Sequence, residues 1–358
     1  MTNVNSTVSE LSELKRKQIF YWLKRVSSVT AWSRIFQYYS EWMSVVEKSV
    51  QQADDNGWNE DTSIPMAEYA LIAKCLAHCE AGVLRLSKGD KKVFKFDSNG
   101  EFEMAGRILD HWIQMLQRIS MGENTIKKHT PLWPEFCLAV DSLAQAWGEC
   151  GQIILESRYI EDPALLWYGK WLQQELESTW FPENLAEVPN PFDSIFVRTG
   201  EYTPCSGIWE PVDVPKSSLL SLIARTPKPR PPFKIVGCMN YLHGGSNAPK
   251  IKIETENGSN EVNTVWRLLW EDKRYEDGTV PDEEKGYRFS KPVQLASPAP
   301  VLIATEEMVC ADSGSVAPFG GRWLAESELG AAIEVVAGEI LPLHLGRKIR
   351  WVWAGSVA

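Results

Sequence analysis

The sequence predicts an α+β fold, an N-terminal helical bundle followed by a duplicated small antiparallel β unit. Apolar residues recur at helical spacing from residue 8 to about residue 176, and alternation broken by turn residues replaces that spacing beyond residue 190. One phrase also occurs twice. Gly200-Glu201-Tyr202-Thr203-Pro204-Cys205-Ser206-Gly207-Ile208-Trp209 and Gly314-Ser315-Val316-Ala317-Pro318-Phe319-Gly320-Gly321-Arg322-Trp323 share the pattern Gly-x3-Pro-x2-Gly-x-Trp, with Gly320 standing where the first copy has Ser206. These observations divide the chain into a helical domain at 1–190, a first β unit at 191–290 and a second at 291–358.

Two helices are expected between residue 8 and about residue 54, the first carrying Ile19, Phe20, Trp22 and Leu23, the second Trp32, Ile35, Tyr39, Trp42 and Val46. Pro65 suits the first turn of a third helix that runs to about Ser87. Val93-Phe94-Lys95-Phe96 followed by Asp97-Ser98-Asn99-Gly100 reads as a strand and a turn, or else as only a long connection. The fourth helix sets Ile108, Trp112, Met115, Leu116 and Ile119 on one face, with Gly122 placed for a C-terminal cap. A fifth helix from Pro134 aligns Phe136, Val140, Leu143, Trp147, Cys150 and Ile154. Asp162-Pro163 then supplies an N-cap and first-turn proline for a sixth, with Leu165, Tyr168, Leu172 and Leu176 inward. Short and moderate loops make an up-and-down bundle the simplest packing.

Phe181-Pro182 to Pro191 is rich in Pro and Asn and marks a boundary; Ile195-Phe196-Val197 then opens the first β unit. In each phrase the leading Gly can take positive φ, the Pro presets the following turn, and the Trp begins the returning strand, where its ring can cover a small core. The phrase is therefore a folding device, or else it presents Trp209 or Arg322 to a partner. Thr226 to Pro232 reads as a stiff spacer. A hairpin follows: Lys250 to Glu256 with Ile251 and Ile253 on one face, a turn at Asn257-Gly258, and a return over Val262 to Trp270. Glu271 to Tyr287 is a long charged loop. The second unit repeats the plan with Val301-Leu302-Ile303, its phrase, Ala331 to Val336, and Lys348 to Trp353, where Ile349, Trp351 and Trp353 share a face. Trp266 with Trp270, and Trp351 with Trp353, suggest a matching Trp pair at the end of each unit.

Sixteen Trp in 358 residues demand deep aromatic cores or a sticky recognition surface. A formal net charge of −10 argues against nucleic acid and favours encounter with a basic protein. Lys15-Arg16-Lys17 and Lys91-Lys92 are read as solvated faces. No apolar run is long enough for a membrane span, and the first residues lack a secretory pattern. Seven scattered Cys fit reduced thiols in the cytoplasm. Neither a phosphate-cradling glycine loop nor a dinucleotide fingerprint is present, so no cofactor is expected. Cys75, His78 and Cys79 fall within one helical turn, but no fourth ligand has suitable spacing, and core packing is the stronger reading over a metal site. His243-Gly244-Gly245-Ser246 resembles a hydrolase oxyanion loop without a nucleophile elbow to serve and reads as a strand-end loop. The acid pairs Glu283-Glu284 and Asp54-Asp55 lie in polar loops and read as solvated charge. An enzyme with Cys205 or Cys238 as thiol nucleophile near His243 is the alternative to a binding protein, and a scaffold or adaptor is a third reading.

With the phrase, Ala248-Pro249-Lys250-Ile251, Trp266-Arg267-Leu268-Leu269-Trp270-Glu271-Asp272 and Gly346-Arg347-Lys348-Ile349-Arg350-Trp351 in view, most of residues 190–358 resembles bacterial polymorphic-toxin immunity proteins of families 71 and 72. The helical half is compatible with that resemblance and contributes no motif to it. The resemblance implies a non-enzymatic cytoplasmic protein, found beside type VI secretion and Rhs effectors in bacterial competition, that holds the toxin domain of a secreted effector and blocks its active site. The toxin would be a nuclease or an ADP-ribosyltransferase. Asp272, Tyr275, Glu276, Asp277, Asp282, Glu283 and Glu284 are the expected contact residues, with Trp209 and Arg322 from the phrases.

Overall fold

The computed structural model describes residues 12–159, 161–192, 194–214, 232–255, 258–290, 309–325 and 332–355. Six helices come first: α1 (Glu13–Val26), α2 (Val29–Asp55), α3 (Met66–Leu86), α4 (Glu101–Ser120), α5 (Trp133–Ile154) and α6 (Lys170–Ser178). Eleven strands follow among the described residues: β1 (Phe196–Arg198), β2 (Gly207–Asp213), β3 (Lys234–Ile235), β4 (Asn240–Leu242), β5 (Ile251–Thr255), β6 (Gly258–Val262), β7 (Val265–Glu271), β8 (Cys310–Asp312), β9 (Gly321–Ala325), β10 (Ala332–Val335) and β11 (Arg350–Gly355). Every strand pair is antiparallel. The fold is α+β as the sequence predicts. Two compact units form, one from Met1–Ser44, Cys75–Asn124 and Pro134–Pro292, the other from Val45–Lys74, Thr125–Trp133 and Val293–Ala358.

Local chemistry accounts for the helices. Ser12 caps α1 by accepting from the Lys15 amide, and Glu13 opens while Lys24 and Arg25 close the helix, each charge matched to the dipole end it sits on. Gly122 takes φ 75° just past α4, where the left-handed cap predicted from the sequence belongs. In the first unit Trp32 stacks on Phe102 at 3.9 Å and meets Trp147 edge-on at 5.3 Å. Trp32, Trp42, Trp209, Trp266, Trp323 and Trp351 are all buried, so a large part of the Trp excess fills cores.

Two helical-half expectations change. Lys91–Phe94 is a 3-10 turn and not a strand, because Phe94 turns into the aromatic core against Trp32 and Phe102. The sixth helix begins at Lys170 rather than at Pro163. The amides of Ala164 and Leu166 are drawn instead to the Lys250 carbonyl (2.8 Å) and Asn240 Oδ1 (2.7 Å).

The first, five-stranded sheet runs β1-β7-β2-β3, with β4 also on β2; a four-stranded sheet runs β10-β9-β11-β8. Placing β1 on β8, β2 on β9, β4 on β10 and β7 on β11 matches every pair of the four-stranded sheet, and β3 alone has no counterpart among the described residues. Arg198 faces Val265 as Asp312 faces Arg350, Trp209 faces Leu268 as Trp323 faces Trp353, and Gly207 faces Leu242 as Gly321 faces Val335. A register shift interrupts both central pairings, between Ile208 and Trp209 and at Trp353 to Gly355.

The turns match as closely. Gly200 and Gly314 have φ 86° and 93°, and their amides donate to the carbonyls of Ala248 and Leu341, both at 2.8 Å. Trp266 Nε1 donates to the Pro249 carbonyl at 2.8 Å and Trp351 Nε1 to that of Pro342 at 3.0 Å. Trp266 and Trp351 are thus equivalent, whereas Trp353 holds the place of Leu268 and Trp270 that of Gly355, so the expected end-of-unit Trp pairs do not correspond. The hairpin forms as β5 and β6, with Thr255 facing Gly258 and therefore one residue earlier than expected. Its return breaks at Asn263-Thr264, and Val265–Glu271 becomes a central strand of the first sheet. The spacer Thr226–Pro232 falls almost wholly, and Val301-Leu302-Ile303 wholly, outside the described residues.

Candidate partner-binding surface

The charged loop after β7 is built around a buried ionic centre. Asp272 accepts from Arg274 Nε at 2.8 Å and Nη2 at 2.7 Å, and from the Tyr241 hydroxyl at 2.9 Å. Burial alone would raise the Asp272 carboxyl, but the charges of Arg274 and Lys91, with the hydrogen bonds from Arg274 and Tyr241, outweigh it and hold the group below its ordinary range. Lys91 donates to the Arg274 carbonyl at 2.7 Å, and burial pulls its own pKa down against the opposing pull of Asp272.

The same loop caps α2. Arg274 Nη2 donates to Ser27 Oγ at 2.6 Å and Nη1 to the Lys24 carbonyl at 2.8 Å. Tyr275 sits at φ 71° and its hydroxyl accepts from the Val29 amide at 2.9 Å while donating to Glu284. Glu284 accepts from the Thr30 amide at 3.2 Å and its hydroxyl at 2.7 Å, placing a carboxylate at the positive end of the helix.

Of the residues expected to touch a partner, Asp272, Tyr275 and Glu284 are therefore buried and hold the loop to the helices. Glu284 is 2% exposed, which corrects its reading as solvated charge; the α2 amides and Tyr275 supply the partners that a local sequence pattern cannot show. Glu276, Asp277, Asp282 and Glu283 are exposed on the same loop. Asp277 takes the Thr279 amide and hydroxyl at 2.9 and 2.8 Å, which keeps its carboxyl below the ordinary range, while Lys285 lies 2.6 Å from Asp282 and Lys24 2.6 Å from Glu283. Trp209 is wholly buried in the core of the first sheet with Trp266 and Leu268. Arg322 belongs to the other unit, on β9 opposite Glu334, on the face away from the buried Trp323.

Sequence reasoning missed the anchors. Lys91 is 5% exposed and Arg16 reaches the buried Glu210, so neither basic run is simply a solvated face. Glu210 also receives Arg267 at 2.7 Å. Burial outweighs the nearby cations at both candidate thiols: it pushes Cys205 up to about 11 against Lys273 and Cys238 further against Arg16, and it lowers His243 to about 4. Cys75 donates to the Met104 carbonyl at 3.5 Å and His78 Nδ1 lies 2.7 Å from Glu101, while Cys79 is buried. Among the described residues no group of three His, Cys, Asp or Glu is placed to hold a metal ion, and no helix is long and apolar enough to cross a membrane.

Residues 10–165 match the family model of Immunity protein 71, and residues 189–288 match that of Immunity protein 72. The chain is thus similar to immunity proteins along both its helical and its first β part. Comparisons with curated proteins and with solved structures give no match. The first match takes in α1 to α5, and the second β1 to β7 with the capping loop. The helical half of the chain is thus matched although it contributed no motif to the resemblance. Residues beyond 288 lie outside both matches, yet β8 to β11 repeat the bonding of the matched sheet.

Proposed function

We propose that this chain is an immunity protein that binds and neutralises a cognate toxin acting in the cytoplasm, a nuclease or an ADP-ribosyltransferase domain of a type VI or Rhs effector, by covering its active site. The observation that carries this reading is the loop after β7, which is anchored from inside by Asp272, Tyr275 and Glu284 and offers Glu276, Asp277, Asp282 and Glu283 outward. A pre-ordered acidic loop loses little entropy on docking and steers a basic cleft towards itself. The raised thiols of Cys205 and Cys238 support a binding role over thiol catalysis. In this reading the segments 1–190, 191–290 and 291–358 are the working parts, with Arg322 presented by the last.

The test is association of the chain with the toxin domain encoded beside it, measured by stopped-flow and by rescue of growth. Changing Glu276, Asp277, Asp282 and Glu283 together to Lys is expected to slow association by about tenfold or more at low salt and to weaken rescue. Full neutralisation by that variant refutes the loop as the contact.

A further inference from the structure

A cavity of about 340 Å³ opens beside the turn of the first sheet, between Lys95–Asp97, the chain after α5, Tyr202 and the loop after β4. At this corner three buried side-chain atoms lack any hydrogen-bond partner: Thr203 Oγ1, His243 Nδ1 and Ser246 Oγ. His243 and Ser246 line the cavity, and His243 is 7% exposed.

The second sheet provides an internal control. Thr203 exchanges backbone bonds with Gly245 and Ser246 as Ala317 does with Gly338 and Glu339, and the Ser246 amide bonds the His243 carbonyl as that of Glu339 bonds Val336. The same corner is therefore built with Ala317 and Val336 in place of Thr203 and His243. The backbone of this turn therefore forms without the Thr203 hydroxyl or the His243 imidazole, and a buried unsatisfied polar atom costs about 1–3 kcal/mol. Their retention around a cavity points to a ligand.

The chemistry of the walls selects its class. The Ile154 carbonyl takes the N–H of the His243 ring, and burial keeps the ring neutral, so Nδ1 presents a lone pair. The charged lining residues are Lys95 and Arg158 against Asp97, Glu156 and Asp162; Lys95 is already 3.2 Å from Asp97. At the rim Tyr159 and Tyr202 are 63% and 76% exposed, and the Arg158 guanidinium lies 5.6 Å from the Tyr159 ring centre. An anion would meet a lone pair and an excess of carboxylates. A planar donor-only cation meets acceptors inside and a free tyrosine face outside.

We propose that this cavity receives a guanidinium group, carried on an arginine side chain of the partner, which stacks on Tyr202 and donates to His243 Nδ1 and Ser246 Oγ. The carrier rests on the toxin-binding reading, but the site itself is tested without a toxin. The full chain is titrated with agmatine, n-butylamine and inorganic phosphate while the His243 ring nitrogens are followed by long-range proton–nitrogen NMR. Agmatine is expected to shift Nδ1 saturably in the millimolar range, with n-butylamine at least about tenfold weaker and phosphate without effect. Tyr202→Ala, at an exposed position, is expected to weaken agmatine several-fold without changing the unfolding midpoint. The charge-reversed loop variant is expected to bind agmatine normally, which keeps failure of this site apart from failure of the loop. An unmoved Nδ1 resonance, equal binding of n-butylamine, a response to phosphate, or agmatine binding unchanged in Tyr202→Ala would each overturn the assignment.

Discussion

Removing Asp272 tests whether the ionic centre orders the acidic loop. Asp272→Ala leaves the Arg274 guanidinium, 7% exposed, without its two carboxylate bonds of 2.7 and 2.8 Å, and leaves the buried Tyr241 hydroxyl without its acceptor. Deleting one partner of a buried pair costs about 3–5 kcal/mol, against less than about 1 kcal/mol for an exposed pair. Urea unfolding followed by Trp fluorescence reads the global loss, and hydrogen exchange at Val29 and Thr30, whose amides the loop caps, reads the local one. Both are expected to fall, with the α2 amides exchanging faster than the rest of the helix. Asp272→Leu with Arg274→Met is expected to recover part of the global stability, because the carboxylate and the guanidinium leave together; Lys91, 3.7 Å from Asp272, and the Tyr241 hydroxyl still lose their partner. The pH sign is fixed by the lowered carboxyl: the contribution is complete above the ordinary carboxylate range and disappears as pH falls through the depressed folded value, and Asp272→Ala is expected to lack that acid-dependent component. A single-variant loss below about 1 kcal/mol would refute the buried-network argument.

Three further outcomes follow from the paired sheets. Trp209→Ala and Trp323→Ala, each emptying the centre of its own core, are each expected to cost about 3–5 kcal/mol, seen as faster exchange in the strands of that sheet alone. Gly200→Ala and Gly314→Ala have no atom within 4 Å of the added methyl, so the cost is the positive φ alone, about 1 kcal/mol each by denaturant midpoint. Glu210→Leu alone is expected to cost about 3–5 kcal/mol by leaving Arg16 and Arg267 uncompensated, and adding Arg267→Val and Arg16→Met to restore most of it in the same assay.

What the sequence revealed tracks how local each interaction is. The turn phrase was legible because positive φ, proline and Trp act within ten residues, and the structure gives both copies the same bonds. The cap at Gly122 was legible for the same reason. Phe94 was misread because its alternating neighbours suggest a strand, while its fate is decided by Trp32 and Phe102, far away in the chain. Lys91 and Glu284 looked solvated because their partners, the Arg274 carbonyl and the α2 amides, are about 180 and 250 residues distant. No charge pattern announces such pairing. The candidate loop was visible as a run of acids, but which acids hold it and which face outward is settled by those distant anchors.

The duplication separates what the fold requires from what each copy has been given to do. Bonds present in both sheets, such as the indole to the proline carbonyl and the glycine amide to the carbonyl of Ala248 or Leu341, are demands of the scaffold. Where the copies differ at one structural position, the scaffold is satisfied either way and the surroundings decide. Glu210 and Arg267 face each other on neighbouring strands, with Arg16 of α1 on the second carboxylate oxygen; at the equivalent positions Leu324 faces Val352. An apolar pair is complete in itself, whereas this carboxylate needs a cation from a helix nearly two hundred residues earlier. The ion pair therefore ties the first sheet to α1 through a contact the sheet does not need for its own folding. His243 and Val336 pose the same contrast at the turn: the His243 ring N–H ties the first sheet to the Ile154 carbonyl, while Nδ1 has no hydrogen-bond partner among the described residues and is the atom left for a group from outside the chain.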